Sequence, residues 1–288
     1  MEFKPIKKIF IPFDFSSNSR MAFEYAAAMS ERINSRILIH HVCKVPIVSA
    51  NEYVVTDLQA QIATDVKTEM EQVILDLKKD HPGVMIEKSL STGLIVDEII
   101  NASASSGADM IVMGTRGAHG IGSNVFGSNT ASVIGKSSIP VLAVPLEAKY
   151  KSFGRVVFAT SFLENDFQTL FQLTELLKPF NPEIEVLHVE ERGEQSVLDQ
   201  LMKDFSSQVK MNIPYKHISF KLIEGHNIEH ALEEYVESRG VDLLAVASRR
   251  KNFFERFTES SMSRKLAFHT RIPLLVFHSF NKTSYPLL

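Results

Sequence analysis

Five of the chain's 13 glycines fall in "GTRGAHGIGSNVFGS", residues 114–128. Glycine admits positive φ and lets the main chain approach a ligand with no Cβ in the way. The segment follows a short apolar run and leads into a helical pattern starting near Ser128. Free N–H groups at a helix N-terminus favour an anion. Ser128 and Thr130 can cap that helix or donate to phosphate oxygens, and Arg116 and His119 add cationic donors. Together these residue types point to a phosphate-bearing ligand.

Other phosphate loops fit less well. The dinucleotide fingerprint needs GxGxxG after the first strand, whereas this segment follows the fourth and has a different spacing. "IGKSS" (134–138) has the tail of a Walker A motif, but Thr130 stands where its first glycine belongs and the lysine falls late in a helix. Among other candidates, His226 and His230 in "HNIEH" lie one helical turn apart, with no third metal ligand in view. Cys43 ends an apolar run and reads as a packing residue. "RRKNFFERF" (249–257) reads as a loop folded over a vacant pocket, or as an anion- or partner-binding stretch.

The elements that position the glycine segment come twice. "KKIFIPFDFSS" (7–17) matches "GRVVFATSFLE" (154–164), with Lys8 facing Arg155. "ADMIVMGTR" (108–116) matches "VDLLAVASR" (241–249), and "IPVLAVP" (139–145) matches "IPLLVFH" (272–278). In the first copy, strands are expected at 8–13, 36–43, 84–90, 109–113 and 139–145, apolar on both faces as a buried parallel sheet requires. Met21, Tyr25, Met29 and Ile33 form one helical stripe and Ile95, Ile99 and Ala102 another, the latter stopped by Gly107. Five strands and four helices per copy predict two doubly wound five-stranded α/β domains of Rossmann-like, adenine nucleotide alpha hydrolase-like type. The domains are expected at residues 1–147 and 152–288, joined by "AKYKSF". The first copy is longer, and residues 46–65 read as a lid or a partner surface.

Gly114, Gly117, Gly127 and Ser128 follow G-x2-G-x9-G-[ST]. With "FDFS" closing the first strand and "IPVLAVP" as the last, the chain resembles a tandem member of the universal stress protein family, whose ATP-binding signature this spacing is. The resemblance implies that Asp14 bonds the adenosine end and that the main chain around Val42 contacts adenine. It implies that Met113 packs on the nucleoside, while Gly114, Gly117, Gly127, Ser128 and Asn129 surround ribose and phosphates. Thr130 joins them as a further hydroxyl, and Mg²⁺ would ride on the phosphates. In the second copy Asp14 becomes Ser161, Gly114 Ala247, Gly117 Arg250, Gly127 Ser260 and Ser128 Ser261, so that site is expected to be degenerate. Family dimers commonly join their fifth strands, which implies that 139–145 and 272–278 pair within one chain as a pseudo-dimer. The sheet's free edges leave a larger homodimer open.

The 288 residues carry a formal charge of −3 and one cysteine. There is no electrostatic reason to expect nucleic acid or an anionic membrane as partner, and no internal disulfide. No segment approaches the roughly 20 apolar residues that span a bilayer. The expectation is a soluble, cytoplasmic, ATP-binding stress-response or regulatory protein. The alternatives are a slow ATPase or self-phosphorylating enzyme, with Ser128 or Thr130 as acceptor, and a scaffold with no nucleotide.

Overall fold

The computed structural model describes residues 5–43, 52–115, 127–162, 164–191, 195–248 and 272–278. The first repeat runs β1 (Lys8–Pro12), α1 (Ser17–Ile33), β2 (Arg36–Cys43), α2 (Glu52–Asp80), β3 (Met85–Thr92), α3 (Ile95–Ser105), β4 (Met110–Gly114), α4 (Ser128–Lys136) and β5 (Val141–Val144). The second runs β6 (Arg155–Ala159), α5 (Glu164–Leu177), a 3-10 turn (Lys178–Phe180), β7 (Glu183–Glu190) and α6 (Gln195–Asn212). It continues with β8 (Ile218–Glu224), α7 (Ile228–Arg239), β9 (Leu243–Ser248) and β10 (Leu274–His278). These strands make one sheet, ordered β3-β2-β1-β4-β5-β10-β9-β6-β7-β8.

Neighbouring strands are parallel within each repeat and antiparallel where the repeats meet, with Leu275 of β10 opposite Leu142 of β5. The expected pairing of the two last strands inside one chain is therefore present. It places the joint in the middle of the sheet, where β5 is buried along its whole length. Helices α1, α2, α5 and α6 cover one face through residues such as Phe23, Met70, Leu173 and Val209. Helices α3, α4 and α7 cover the other through Ile99, Val133 and Val236.

Two polar devices and one glycine turn recur at matched places and explain residues that the two repeats share. Lys8 Nζ donates to the carbonyl of Ser106 at the end of α3, and the Arg155 guanidinium donates to that of Arg239 at the end of α7. A cation there satisfies a carbonyl left over at the helix end and complements the helix dipole. One Asp109 oxygen accepts the amides of Lys7 and Lys8 at 2.8 and 2.9 Å, and one Asp242 oxygen accepts those of Gly154 and Arg155 at 3.0 and 2.8 Å. Each carboxylate thereby ties the start of a first strand to the start of the fourth. Gly107 and Gly240, at φ 65° and 58°, turn the chain out of α3 and α7, as expected for Gly107.

The extra length of the first repeat lies partly in α2, which has 29 residues against 18 in α6. Residues 52–65, read from sequence as part of a lid or partner surface, belong to this helix; 46–51 lie outside the described residues.

Candidate functional site

β1 lies between β2 and β4. The helix leaving β1 packs on one face of the sheet and the helix after β4 on the other. Such a divergence opens a crevice beyond the carboxyl ends of the two strands, where doubly wound sheets bind ligands.

Just past β1, Asp14 accepts hydrogen bonds from the amide of Ser16, at 3.2 Å, and from its hydroxyl. Phe15 follows in the left-handed region at φ 62°. Ser16 then caps α1 by accepting the amide of Ser19 at 3.2 Å. The cap of α1 is thus Ser16, and Asp14 holds the turn that delivers it, with its carboxylate on the exposed rim. Phe15 packs on His41, ring centres 4.8 Å apart, and His41 Nδ1–H donates to the Phe13 carbonyl at 2.7 Å.

Val42 belongs to the part of β2 that outruns β1. The β1–β2 pairing ends at Pro12 opposite His40, while β2 pairs with β3 through Cys43. The His40 carbonyl faces β1, accepting the Phe13 amide at 2.8 Å, and the Cys43 carbonyl faces β3, accepting the Gly93 amide. By the two-residue period of a strand, the N–H and C=O of Val42 face the space beyond β1. A donor and an acceptor on one main-chain edge match the edge of a purine base.

On the other wall, Met113 is buried on the face that carries α3 and α4. A Cβ built on Gly114 would stand 2.8 Å from both Cβ and O of Asn18, so this glycine lets the first turn of α1 touch the end of β4. Asn18 Oδ1 is buried there with no hydrogen-bond partner among the described residues. Thr130 is buried, and its hydroxyl donates to the Gly114 carbonyl at 2.9 Å, locking α4 to β4. Gly127 has an ordinary φ of −60° and its amide donates to the Thr115 carbonyl, so neither it nor Gly114 sits at the positive φ that sequence reasoning invoked. No side chain caps α4, and Ser128 and Asn129 are exposed on its first turn. Gly117, Arg116 and His119 lie outside the described residues.

The second repeat keeps the frame and changes the groups. Phe162 again has positive φ, at 58°, and packs on His188 at 4.6 Å, whose Nδ1–H donates to the Thr160 carbonyl. Where Asp14 stood is Ser161. The carboxylate has moved onto the helix as Asp166, buried, accepting the Thr160 hydroxyl at 2.7 Å and the Ser161 amide at 2.8 Å. Ala247 replaces Gly114 at the matching strand end; Arg250, Ser260 and Ser261 lie outside the described residues.

One buried polar group escaped the motif search. His40 bonds Ser89 Oγ through Nδ1 at 2.7 Å and Ser91 Oγ through Nε2 at 3.0 Å, at the floor of a 380 Å³ groove beneath α3. Alternation on β2 and β3 carries the signal, because His40, Ser89 and Ser91 share a face that apolar residues normally fill. Burial holds the His40 imidazole below its ordinary 6.5; Glu98 on α3 opposes the shift, and His41 adds to it. The unfolded chain therefore takes up this proton at a higher pH than the folded one. The stability His40 contributes is complete above pH 6.5 and is lost as pH falls through its lowered folded-state value. His40→Gln should flatten the loss of stability below pH 6.5 in urea titrations; an unchanged slope would exclude His40 as its source.

A parallel sheet of order 3-2-1-4-5 with helices on both faces defines the class of doubly wound α/β folds, built here in tandem. The universal stress protein family model matches residues 5–145 and 152–278, and the chain belongs to that family. A universal stress protein of Methanocaldococcus jannaschii, MJ0577, is 25% identical over 154 residues, covering 48% of this chain and 94% of the relative. One from Thermus aquaticus is 29% identical over 140 residues, covering 48% of this chain and 98% of the relative. Such relatives have the length of a single repeat. The crystal structure of a universal stress protein from Archaeoglobus fulgidus matches both repeats, at TM-score 0.69 and 21% identity over 94% of this chain and 96% of that one. No helix among the described residues is long and apolar enough to cross a membrane.

Proposed function

We propose that the first repeat binds one adenine nucleotide, ATP with Mg²⁺ on its phosphates, and that the protein works as a nucleotide-dependent regulator in the response to stress. The observation that carries this reading is the crevice between β1 and β4. The main-chain edge of Val42 faces it from one side, and the uncapped first turn of α4 opens from the other. The Val42 edge would read the base. Asp14, on the rim, would accept from ribose hydroxyls. Gly114, Gly117 and Gly127 would let main chain close on the phosphates, with Ser128 and Asn129 donating to them and Met113 packed below the nucleoside. Bound Mg²⁺ would neutralise phosphate charge. Thr130 positions the helix rather than touching ligand, since its hydroxyl is already bonded inside. The second repeat would hold no nucleotide, because its carboxylate, Asp166, is buried and bonded to Thr160 and Ser161 in the turn after β6.

Thermal melting with Mg-ATP at 100 times its Kd should show stabilisation of about 2.7 kcal/mol. Titration calorimetry should give one nucleotide per chain. No shift at millimolar ATP would overturn nucleotide binding, and two nucleotides per chain would overturn the degenerate second site.

A further inference from the structure

The groove beneath α3 has a counterpart in the second repeat, and there the chain fills it. His40 lies opposite Ser89 across β2 and β3, and Leu187 lies opposite Lys221 across β7 and β8. With Asp109 matched to Asp242, Ala102 of α3 corresponds to Tyr235 of α7. Tyr235 is buried; its phenol donates to Glu185 Oε1 at 2.5 Å, and Lys221 Nζ stands 4.8 Å from its ring centre. An aromatic ring, a carboxylate and an ammonium thus occupy this space together.

In the first repeat the ring has become Ala102 and the lysine Ser89, and the 380 Å³ groove stands in their place. Such a volume lies within the range of small-molecule sites. Its lining is apolar at Leu38 of β2 and Ala102 of α3, and Ser89 and Ser91 are held in fixed positions by His40. Glu98 is a half-buried carboxylate on the wall, and among the described residues no lysine or arginine lines the groove.

We propose that this groove binds a small aromatic amine. Its ring takes the place that Tyr235 fills in the second repeat, its ammonium pairs with Glu98, and the Ser89 and Ser91 hydroxyls bond its polar substituents. A half-buried carboxylate with no lysine or arginine among the described lining residues favours positive charge, and the truncated alanine supplies room for the ring. The site lies between α3 and the β2–β3 edge, so it stands or falls independently of nucleotide binding in the β1–β4 crevice.

Titration of the full chain with tyramine, followed by calorimetry and amide NMR shifts, tests the proposal. Tyramine should bind with shifts centred on residues 89–106. Its neutral analogue 4-methylphenol should bind about tenfold more weakly or less, and 4-hydroxyphenylacetate not at all. Ala102→Tyr, which copies the second repeat, should abolish binding while ATP-dependent melting is retained. Glu98→Gln, which keeps the shape, should weaken tyramine by about tenfold, and it decides the matter if Ala102→Tyr fails to fold. The proposal is overturned by no saturation at about 10 mM tyramine, by equal binding of the acid, or by unchanged affinity in Glu98→Gln.

Discussion

In a Gly117→Arg protein the ATP-dependent rise in melting temperature disappears while the unliganded protein melts as before. The substitution writes into the first repeat the residue that the second carries at the matching place, Arg250. Gly117 is the middle member of the three-glycine spacing. A long side chain there fills the volume that main chain must leave to phosphates, and its positive charge does not compensate for a blocked approach. At 100 times the wild-type Kd, a hundredfold loss of affinity would reduce the stabilisation from about 2.7 to about 0.4 kcal/mol. The fold itself should tolerate the change, because the second repeat carries arginine at the matching place. Normal ATP affinity in this protein would refute the phosphate-loop reading. The converse change, Arg250→Gly, should not create a second site, since Ser161 and Ala247 remain and Asp166 is committed to the turn after β6.

Sequence periodicity located the strands to within a residue or two, because a sheet buried on both faces leaves uninterrupted apolar runs such as "MIVMG" of β4. The duplication was equally legible, down to Lys8 with Arg155 and Asp109 with Asp242. What those pairs do was not, since their partners are main-chain atoms 84 to 102 residues away, brought close only by the fold. At the site, Asp14 and Gly114 could be chosen from their spacing. A turn role for Asp14 beside the start of α1 was open to a sequence reading, but that Gly114 makes room for Asn18 was not, because it depends on where α1 meets β4. Thr130 looked like a phosphate donor for the same reason, and only its burial shows the hydroxyl turned inward. The groove was invisible because Ala102 and Tyr235 become comparable only when strand register aligns the two repeats.

Phe153→Ala should be the most destabilising single change at the junction between repeats. Phe153 closes the linker and is 1% exposed. Its ring meets Phe180 edge-on at 5.0 Å, Tyr150 edge-on at 5.7 Å and Tyr25 at 6.2 Å. Tyr25 belongs to α1 of the first repeat and Phe180 to the 3-10 turn of the second, so one ring joins both halves to the linker. Arg32 of α1 adds its guanidinium 6.0 Å from the Phe180 ring. Truncating a buried phenylalanine removes its transfer energy and leaves a cavity, about 3–5 kcal/mol in all. For a chain of this size that lowers the melting temperature by on the order of 10 °C. The three-pair joint between β5 and β10 would then have to hold the halves with less help from the aromatic seam. Phe153→Leu keeps most of the volume and should retain most of the stability. Urea unfolding separates the outcomes: an alanine protein within about 1 kcal/mol of wild type would mean that the sheet alone unites the repeats. A full loss, with unfolding still in one step, would make the seam part of a single cooperative core.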